Sequence, residues 1–331
     1  AESAYEALIE EAAVVTPNAD EAAVLTGIEP TNAPSAIDAG ERLVEMGADA
    51  ALIKGGHIAG DTVIDVLVTP ADVTTFEHPR IKTDATHGSG CTLSSAIAAR
   101  FALGDELEEA VAVAIAFMER AVRYPLDVGT GPGSVHHLVD LRERASRHPT
   151  AEATESVVRT LVSAGARPLV PEVGMNVVGA TPFAEDTGEV AAVEGRITRT
   201  MSGIRPNRGV RFGASSHVAR FLLECREHDP AIRFGANCRF DSTVEAALGT
   251  VDWPTVEFDR GVEPEESRDA EGGTMAWAAR QAFENVEGTP AAVYDDGDVG
   301  KEPMVRLLAP DPETLEAQAL DLLAAVREQR V

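Results

Sequence analysis

Residues 83–92 read Thr-Asp-Ala-Thr-His-Gly-Ser-Gly-Cys-Thr and run straight into Leu-Ser-Ser-Ala-Ile-Ala-Ala-Arg, a stretch of good helix composition. A Gly-rich turn that opens a helix stacks free backbone N–H groups at the positive end of the helix dipole, and phosphate is the usual occupant of such a site. Gly88 and Gly90, on either side of Ser89, let the backbone approach an anion with no Cβ in the way. Cys91 falls in the first turn, where the same field favours a thiolate. Taken alone, the pattern also fits a plain strand-to-helix turn.

Other polar residues sit at comparable junctions. Lys54 ends an apolar run and precedes Gly55-Gly56, which suits a phosphate contact and equally a solvated lysine. Asn18 and Glu21 lie three apart where a short apolar run gives way to a helix. Both can face a metal–phosphate assembly, or Asn18 can cap the helix with Glu21 completing a capping box. In the second half of the chain, strand ends repeatedly deliver Arg, His, Asn and Asp, the equipment for an anionic substrate. Arg196, Arg208, Arg220, Arg239 and Lys301 are cations in an otherwise acidic chain. His217, at the start of a helix, suits a phosphate hydrogen bond or acid/base work, and also an ordinary polar surface.

The acidity is pronounced: 55 Asp and Glu against 28 Lys and Arg, a net charge of -27, and only three lysines, Lys54, Lys82 and Lys301. The acidic residues are scattered, which indicates a solvated surface and not a tail. Such a surface repels nucleic acid and anionic membrane, so neither is expected as a partner. Acid excess with scarce lysine points to high cytoplasmic salt, as in a halophilic archaeon; an acidic mesophile is the plainer alternative. Cys91, Cys225 and Cys238 have neither metal-ligand spacing nor a disulfide pattern, so a reducing, cytoplasmic setting is expected. No apolar run approaches membrane-spanning length.

The elements that must position these residues follow from periodicity. A helix is expected to about residue 13, a buried strand at 13–15, and helices at 21–27 and 36–46. The strand 51–53 leads to Lys54, and 61–67 with 73–76 alternate as a hairpin. The helix after Cys91 is followed by one at 107–122 that is apolar nearly all round. Alternation of strands with helices predicts a mostly parallel α/β sheet for this part. Residues 142–154, polar and containing Pro149, read as a linker between domains 1–141 and 155–331. Beyond it, strands are expected at 190–193, 210–213, 233–238, 256–260, 291–294 and 304–308, with helices at 218–227, 274–283 and after Asp311-Pro312. Ser215 or Ser216 is the natural cap of the 218–227 helix.

The motifs in the first part resemble the hydroxymethylpyrimidine (phosphate) kinase branch of the ribokinase superfamily. They are Thr-Pro-Asn-x-x-Glu at 16–21, Ile-Lys-Gly-Gly-His at 53–57, the 86–98 segment and Gly-Pro-Gly-Ser-Val-His-His at 131–137. The resemblance implies the C-terminal part of a ribokinase-like α/β/α sheet with the N-terminal half of the kinase missing, ATP as co-substrate, and frequently a homodimer. It gives Cys91 the general-base position and the 88–91 backbone an anion hole, with Asn18 and Glu21 organising Mg²⁺ and Lys54 touching the nucleotide phosphates.

The second part, over about 155–330, looks like the ThiN family, the archaeal-type thiamine phosphate synthase. The motifs are Pro-Glu-Val-Gly-Met-Asn at 171–176, Glu-Gly-Arg-Ile at 194–197, 212–220, Arg-x-Gly-Ala-Asn at 233–237, 259–264 and Gly-Lys-Glu-Pro-Met at 300–304. This implies a separate α/β domain that joins hydroxymethylpyrimidine diphosphate to hydroxyethylthiazole phosphate. Arg196 and His217 are the expected catalytic pair, with Arg220, Asn237 and Lys301 as phosphate contacts and Mg²⁺ accompanying the diphosphate. ThiN-like domains also serve as ligand sensors on DNA-binding proteins, but no helix-turn-helix is apparent and the charge opposes DNA. A generic ribokinase-like sugar kinase is disfavoured by Cys91 where Asp is usual.

Overall fold

The computed structural model describes the chain apart from residues 1–6, 59, 127, 132, 266, 268–272, 299, 330 and 331. The chain divides into two units, Ala1–Asp140 and Leu141–Val331.

In the first unit the wholly buried β1 (Ala51–Ile53) pairs antiparallel with β2 (Thr62–Val68), which pairs antiparallel with β3 (Val73–Pro79). The sequence predicted a mostly parallel sheet, and among the described residues parallel pairing beside β1 is limited to the bridges Val15–Ala51 and Asn18–Lys54. The reason is the short 69–72 turn, closed by Thr69 and Asp72, because a turn of that length can join only antiparallel neighbours. Helices α1 (Ala19–Thr26), α2 (Ala33–Glu45), α3 (Ser89–Ala102) and α4 (Leu107–Arg123) complete the unit. The inner face of α2, Ala36, Ala39 and Leu43, packs with Ile53, Val66 and Val68. Gly40 makes this close approach feasible, since a Cβ there would lie 2.5 Å from a Val68 methyl. α4 is not buried all round as its composition suggested: Ala110, Val111, Ala114, Ile115 and Met118 face inward while Val113 is exposed. Residues 7–10 are helical, and the rest of the helix expected at the start of the chain lies outside the described residues.

The stretch expected as a linker is helical. It belongs to α5 (Val139–Ser163), with Pro149 inside the helix. Its polar residues have specific partners: the buried Glu143 accepts the Phe183 N–H, Arg147 donates to the Gly188 carbonyl and lies over the Phe212 ring, and Thr154 is fully buried. Val157, Val158 and Leu161 then carry the same helix into the core of the second unit.

That core is organised by a seven-stranded sheet in the order β10 (Thr255–Glu257), β11 (Ala292–Asp295), β12 (Met304–Ala309), β9 (Phe234–Arg239), β4 (Val177–Ala180), β5 (Val190–Val193) and β8 (Val210–Phe212). β10 and β11 are parallel and every other pair is antiparallel. Strand alternation sends successive side chains to opposite faces. Val177, Ala292 and Leu307 join one cluster with α5, α7 (Ser242–Leu248) and α9 (Pro312–Glu328), whereas Val178, Val293 and Leu308 join another with α6 (His217–His228) and α8 (Gly273–Glu284). The result is three layers with helices on both faces. The chain after β5 turns into a separate hairpin, β6 (Ile197–Thr200) and β7 (Gly203–Pro206).

Candidate functional site

In the first unit the Gly-rich turn is formed as a helix start. Gly88 is the N-cap of α3 at φ 81°, a left-handed conformation that suits glycine, and no side chain caps the first N–H groups. The Lys54 amine comes to this turn: a Cβ on Gly90 would lie 3.0 Å from it. The Glu21 carboxylate is 4.0 Å from the same amine. Asn18 and Glu21 form a reciprocal capping box, each side chain accepting the other's backbone N–H at 2.8 Å. The capping alternative therefore describes them at rest, and Asn18 is occupied in aiming Glu21. Cys91 is exposed on the first turn of α3.

Two devices hold this junction. Gly55, next to Lys54, donates its N–H to the buried Asp65 at 2.7 Å, and Asp65 in turn lies 3.4 Å from His78 Nε2. His78 is raised above the ordinary imidazole range, first by its hydrogen bond to Asp65, with burial opposing. On the other side Thr92 donates its hydroxyl to the Gly88 carbonyl at 2.8 Å and meets His137 Nε2 at 3.0 Å. A parallel bridge from His87 to Ser134 brings the expected closing segment alongside, Pro132 lying outside the described residues.

In the second unit a cavity of about 760 Å³ opens on the α6 and α8 face of the sheet. Arg196, His217, Arg220, Asn237 and Lys301, all singled out from the sequence, line it together. Each arrives by a different route. Arg196 follows β5 in a turn where Gly195 has φ 75° and Arg196 itself φ 66°, the one non-glycine residue with positive φ among the described residues. Its guanidinium donates to the Val173 carbonyl at 2.6 Å. His217 opens α6, whose N-cap Ser216 makes no capping bond, so the hydroxyl and the first N–H groups of the helix remain available at the cavity wall. The sequence expectation of a serine cap thus holds for position and not for hydrogen bonding. Lys301 exchanges backbone hydrogen bonds with Asp298 and is exposed.

Asn237 has a different part from the expected phosphate contact. Its Oδ1 accepts the Asn176 N–H at 2.6 Å and its Nδ2 donates to the Gly174 carbonyl at 3.2 Å. Asn176 repeats the device by exchanging two hydrogen bonds with the Val193 backbone. This buried pair of asparagines fixes the 173–176 loop, and through Val173 the loop holds Arg196.

The sequence reading missed the cavity's buried cations. Arg260 and Arg306 both line the cavity, and each is 8% exposed. The fully buried Asp295 takes the Arg260 Nε with one oxygen and the Arg306 Nη1 with the other, both at 2.6 Å. Burial alone would raise the Asp295 carboxyl, and Arg306 and Arg260 together reverse this and hold it below the usual carboxylate range. The discoverable signal was Arg306 itself, a charge in the middle of Met-Val-Arg-Leu-Leu-Ala. Glu302 lines the cavity too, but its carboxylate accepts the Glu172 and Val173 N–H groups. The lining is thus cationic, with Arg196, Arg220, Arg260, Lys301 and Arg306 on a chain of net charge -27. Helix starts at α6 and α8 add their positive ends. Such a cavity can hold phosphorylated small molecules and stabilise negative charge on a departing group.

Comparison with known proteins agrees with these two units. Residues 153–321 match the family model for thiamine-phosphate synthase ThiN, and residues 1–136 match that for phosphomethylpyrimidine kinase. A bifunctional thiamine biosynthesis protein ThiDN of Methanocaldococcus jannaschii is 32% identical over 246 residues, covering 72% of this chain and 54% of that protein. A thiamine-phosphate synthase ThiN of Methanothermobacter thermautotrophicus is 36% identical over 155 residues, covering 47% of this chain and 82% of that protein. The crystal structure of a C-terminal domain of phosphomethylpyrimidine kinase is similar with a TM-score of 0.51 and 31% identity, over 53% of this chain and 98% of that one. The chain spans about half the length of the bifunctional relative it matches.

Proposed function

We propose a function from this premise: the chain belongs to the thiamine-phosphate synthase ThiN family. Its second unit joins hydroxymethylpyrimidine diphosphate to hydroxyethylthiazole phosphate, giving thiamine phosphate and diphosphate. The observation that carries this reading is the cavity in which Arg196, His217, Arg220 and Lys301 meet beside the buried Arg260 and Arg306. In the reaction the bond between the pyrimidine methylene carbon and the diphosphate oxygen breaks, and its electron pair leaves with the diphosphate. The aminopyrimidine ring stabilises the cation that remains, and the thiazole nitrogen supplies the pair for the new C–N bond. The work left to the protein is to hold two anionic substrates in line and to stabilise charge growing on the leaving group. Arg196 and His217, at the exposed rim, suit the departing diphosphate, with Arg220 and Lys301 as further contacts.

A protein-held metal does not fit this cavity. Both Glu302 oxygens accept backbone N–H groups and both Asp295 oxygens hold guanidiniums. Among the described residues no group of three or more His, Cys, Asp or Glu could hold a metal ion. The residues present supply cations for the leaving group directly, and a Mg²⁺ ion would come to this cavity held by the diphosphate itself.

In the first unit the reading is an ATP-dependent hydroxymethylpyrimidine (phosphate) kinase site. Lys54 and the N–H groups of Gly88 and Gly90 suit nucleotide phosphates, the Ser89 N–H being held by the Thr86 carbonyl, and Cys91 on the exposed first turn suits the general base. Glu21, a 58% exposed carboxylate, is the kind of single oxygen ligand that Mg²⁺ accepts when phosphates supply the rest. Asn18 holds Glu21 in place. When bound, Mg²⁺ would neutralise phosphate charge. The acid excess with only three lysines supports a high-salt setting, and three cysteines without a disulfide pattern support a reducing, cytoplasmic one.

The test is formation of thiamine phosphate from the two substrates by this chain in molar KCl with Mg²⁺. Turnover that is lost in Arg196→Ala and His217→Ala, with the fold retained by circular dichroism, is the expected result. Tight binding of thiamine phosphate without turnover would replace catalysis by sensing.

A further inference from the structure

Arg306 occupies the third position of β12, paired across the sheet with Asn237 on β9 and Val293 on β11. Its side chain is 10% exposed yet lines the cavity. Among the described residues its only hydrogen bond is from Nη1 to Asp295 Oδ2, and the guanidinium lies 5.3 Å from the Phe221 ring centre. The remaining N–H donors of a rigid, always charged fork therefore have no protein acceptor among the described residues and open on the cavity. Water at a cavity floor is a poor substitute for an anion, and a buried guanidinium is costly to keep unless something compensates it. Asp295 orients the fork but compensates it only in part, because its other oxygen is committed to Arg260.

We propose that Arg306, oriented by Asp295, is a second anion subsite on the cavity floor, and that it takes the phosphate monoester of the nucleophilic substrate. This rests on the synthase reading above. Two phosphorylated substrates must keep their phosphates apart while their reacting atoms meet, so one cavity needs two anion positions. The exposed rim, with Arg196, His217 and Lys301, matches the group of higher charge that must depart to solvent. The buried floor matches the group that stays attached to the product. Its fixed geometry suits a small, planar-forked recognition of one phosphate.

The experiment is steady-state kinetics on the full chain carrying Arg306→Gln or Arg306→Lys, with each substrate varied in turn. Arg306→Gln should raise KM for the thiazole phosphate roughly tenfold or more and leave KM for the pyrimidine diphosphate within about twofold. Its preference for the phosphorylated thiazole over the unphosphorylated alcohol should fall by the same factor. Arg306→Lys, which keeps a cation on Asp295 and so preserves the fold, should be intermediate. An unchanged KM for the thiazole phosphate in both variants overturns the subsite, and a rise confined to the diphosphate overturns its assignment to the monoester. Should the wild-type chain lack turnover, the synthase reading fails separately, and titration with thiamine phosphate still decides the subsite. Binding weakened tenfold in Arg306→Gln supports it, and equal affinity overturns it.

Discussion

Glu302 and Arg196 hold Val173 from opposite sides: the Glu302 carboxylate accepts its N–H at 3.0 Å, and the Arg196 guanidinium donates to its carbonyl at 2.6 Å. The second Glu302 oxygen takes the Glu172 N–H at 2.7 Å. A carboxylate with two backbone donors is a charge-assisted clamp, and it sets the loop on which Arg196 rests. Glu302→Gln turns one acceptor into a donor facing an N–H. Losing one such bond is worth about 1.5–3 kcal/mol, so synthase kcat/KM should fall roughly tenfold to a hundredfold. Kinetics with unchanged kcat/KM would mean that this loop does not position Arg196.

Arg196 adopts φ 66°, a backbone conformation that costs a residue with a Cβ about 1–2 kcal/mol. Such strain at a cavity wall is a sign that the side chain's direction matters more than local stability. Comparing Arg196→Gly with Arg196→Ala separates the two contributions, since both remove the guanidinium. The glycine variant should be the more stable by about 1 kcal/mol in urea unfolding, with some of the gain offset by unfolded-state entropy. Both should lack synthase activity. Equal stability would show that the backbone carries no strain there.

Asn237 distinguishes scaffolding from ligand binding. Asn237→Ala leaves the Asn176 N–H and the Gly174 carbonyl without their partners in a buried setting, which should cost about 2–4 kcal/mol. The midpoint of thermal unfolding should drop accordingly. A residue that touched phosphate alone would instead raise KM at constant stability.

Two glycines beside Lys54 should respond in opposite ways. A Cβ on Gly55 would lie 2.1 Å from the Ile64 carbonyl oxygen, so Gly55→Ala forces backbone apart and should unfold the first unit. A Cβ on Gly90 would meet only the flexible tip of Lys54, and alanine is the better helix former. Gly90→Ala should keep or raise thermal stability while weakening ADP binding by titration. Unaltered ADP affinity would detach Lys54 and this turn from the nucleotide.

Much of this arrangement was legible because it depends on local rules. Asp311 caps α9 with Pro312 at its first position, the 62–79 hairpin follows from alternation, and Gly88 marks the turn. What was not legible depends on pairing across the sheet. Arg306 and Asp295 meet only because β11 and β12 run antiparallel, and no local pattern states that direction. The 142–154 stretch misled because its contacts are polar: Glu143 and Arg147 bind backbone groups 40 and 41 residues away. A count of apolar residues does not register such contacts. Asn237 was singled out through the ThiN resemblance, but its role turned on which backbone groups lay within reach.

His78 is raised above 6.5 chiefly through its hydrogen bond to the buried Asp65, against the opposing effect of burial. A group whose folded pKa exceeds its unfolded one contributes stability fully below the unfolded value, and that contribution is lost as pH rises through the folded value. His78→Gln should therefore lower the unfolding midpoint most at about pH 6 and progressively less towards about pH 9. The same Asp65 accepts the Gly55 N–H beside Lys54, so ADP affinity should follow the same trend in the wild type and lose it in the variant. A midpoint difference independent of pH over this range would mean that the His78–Asp65 pair is not coupled to folding.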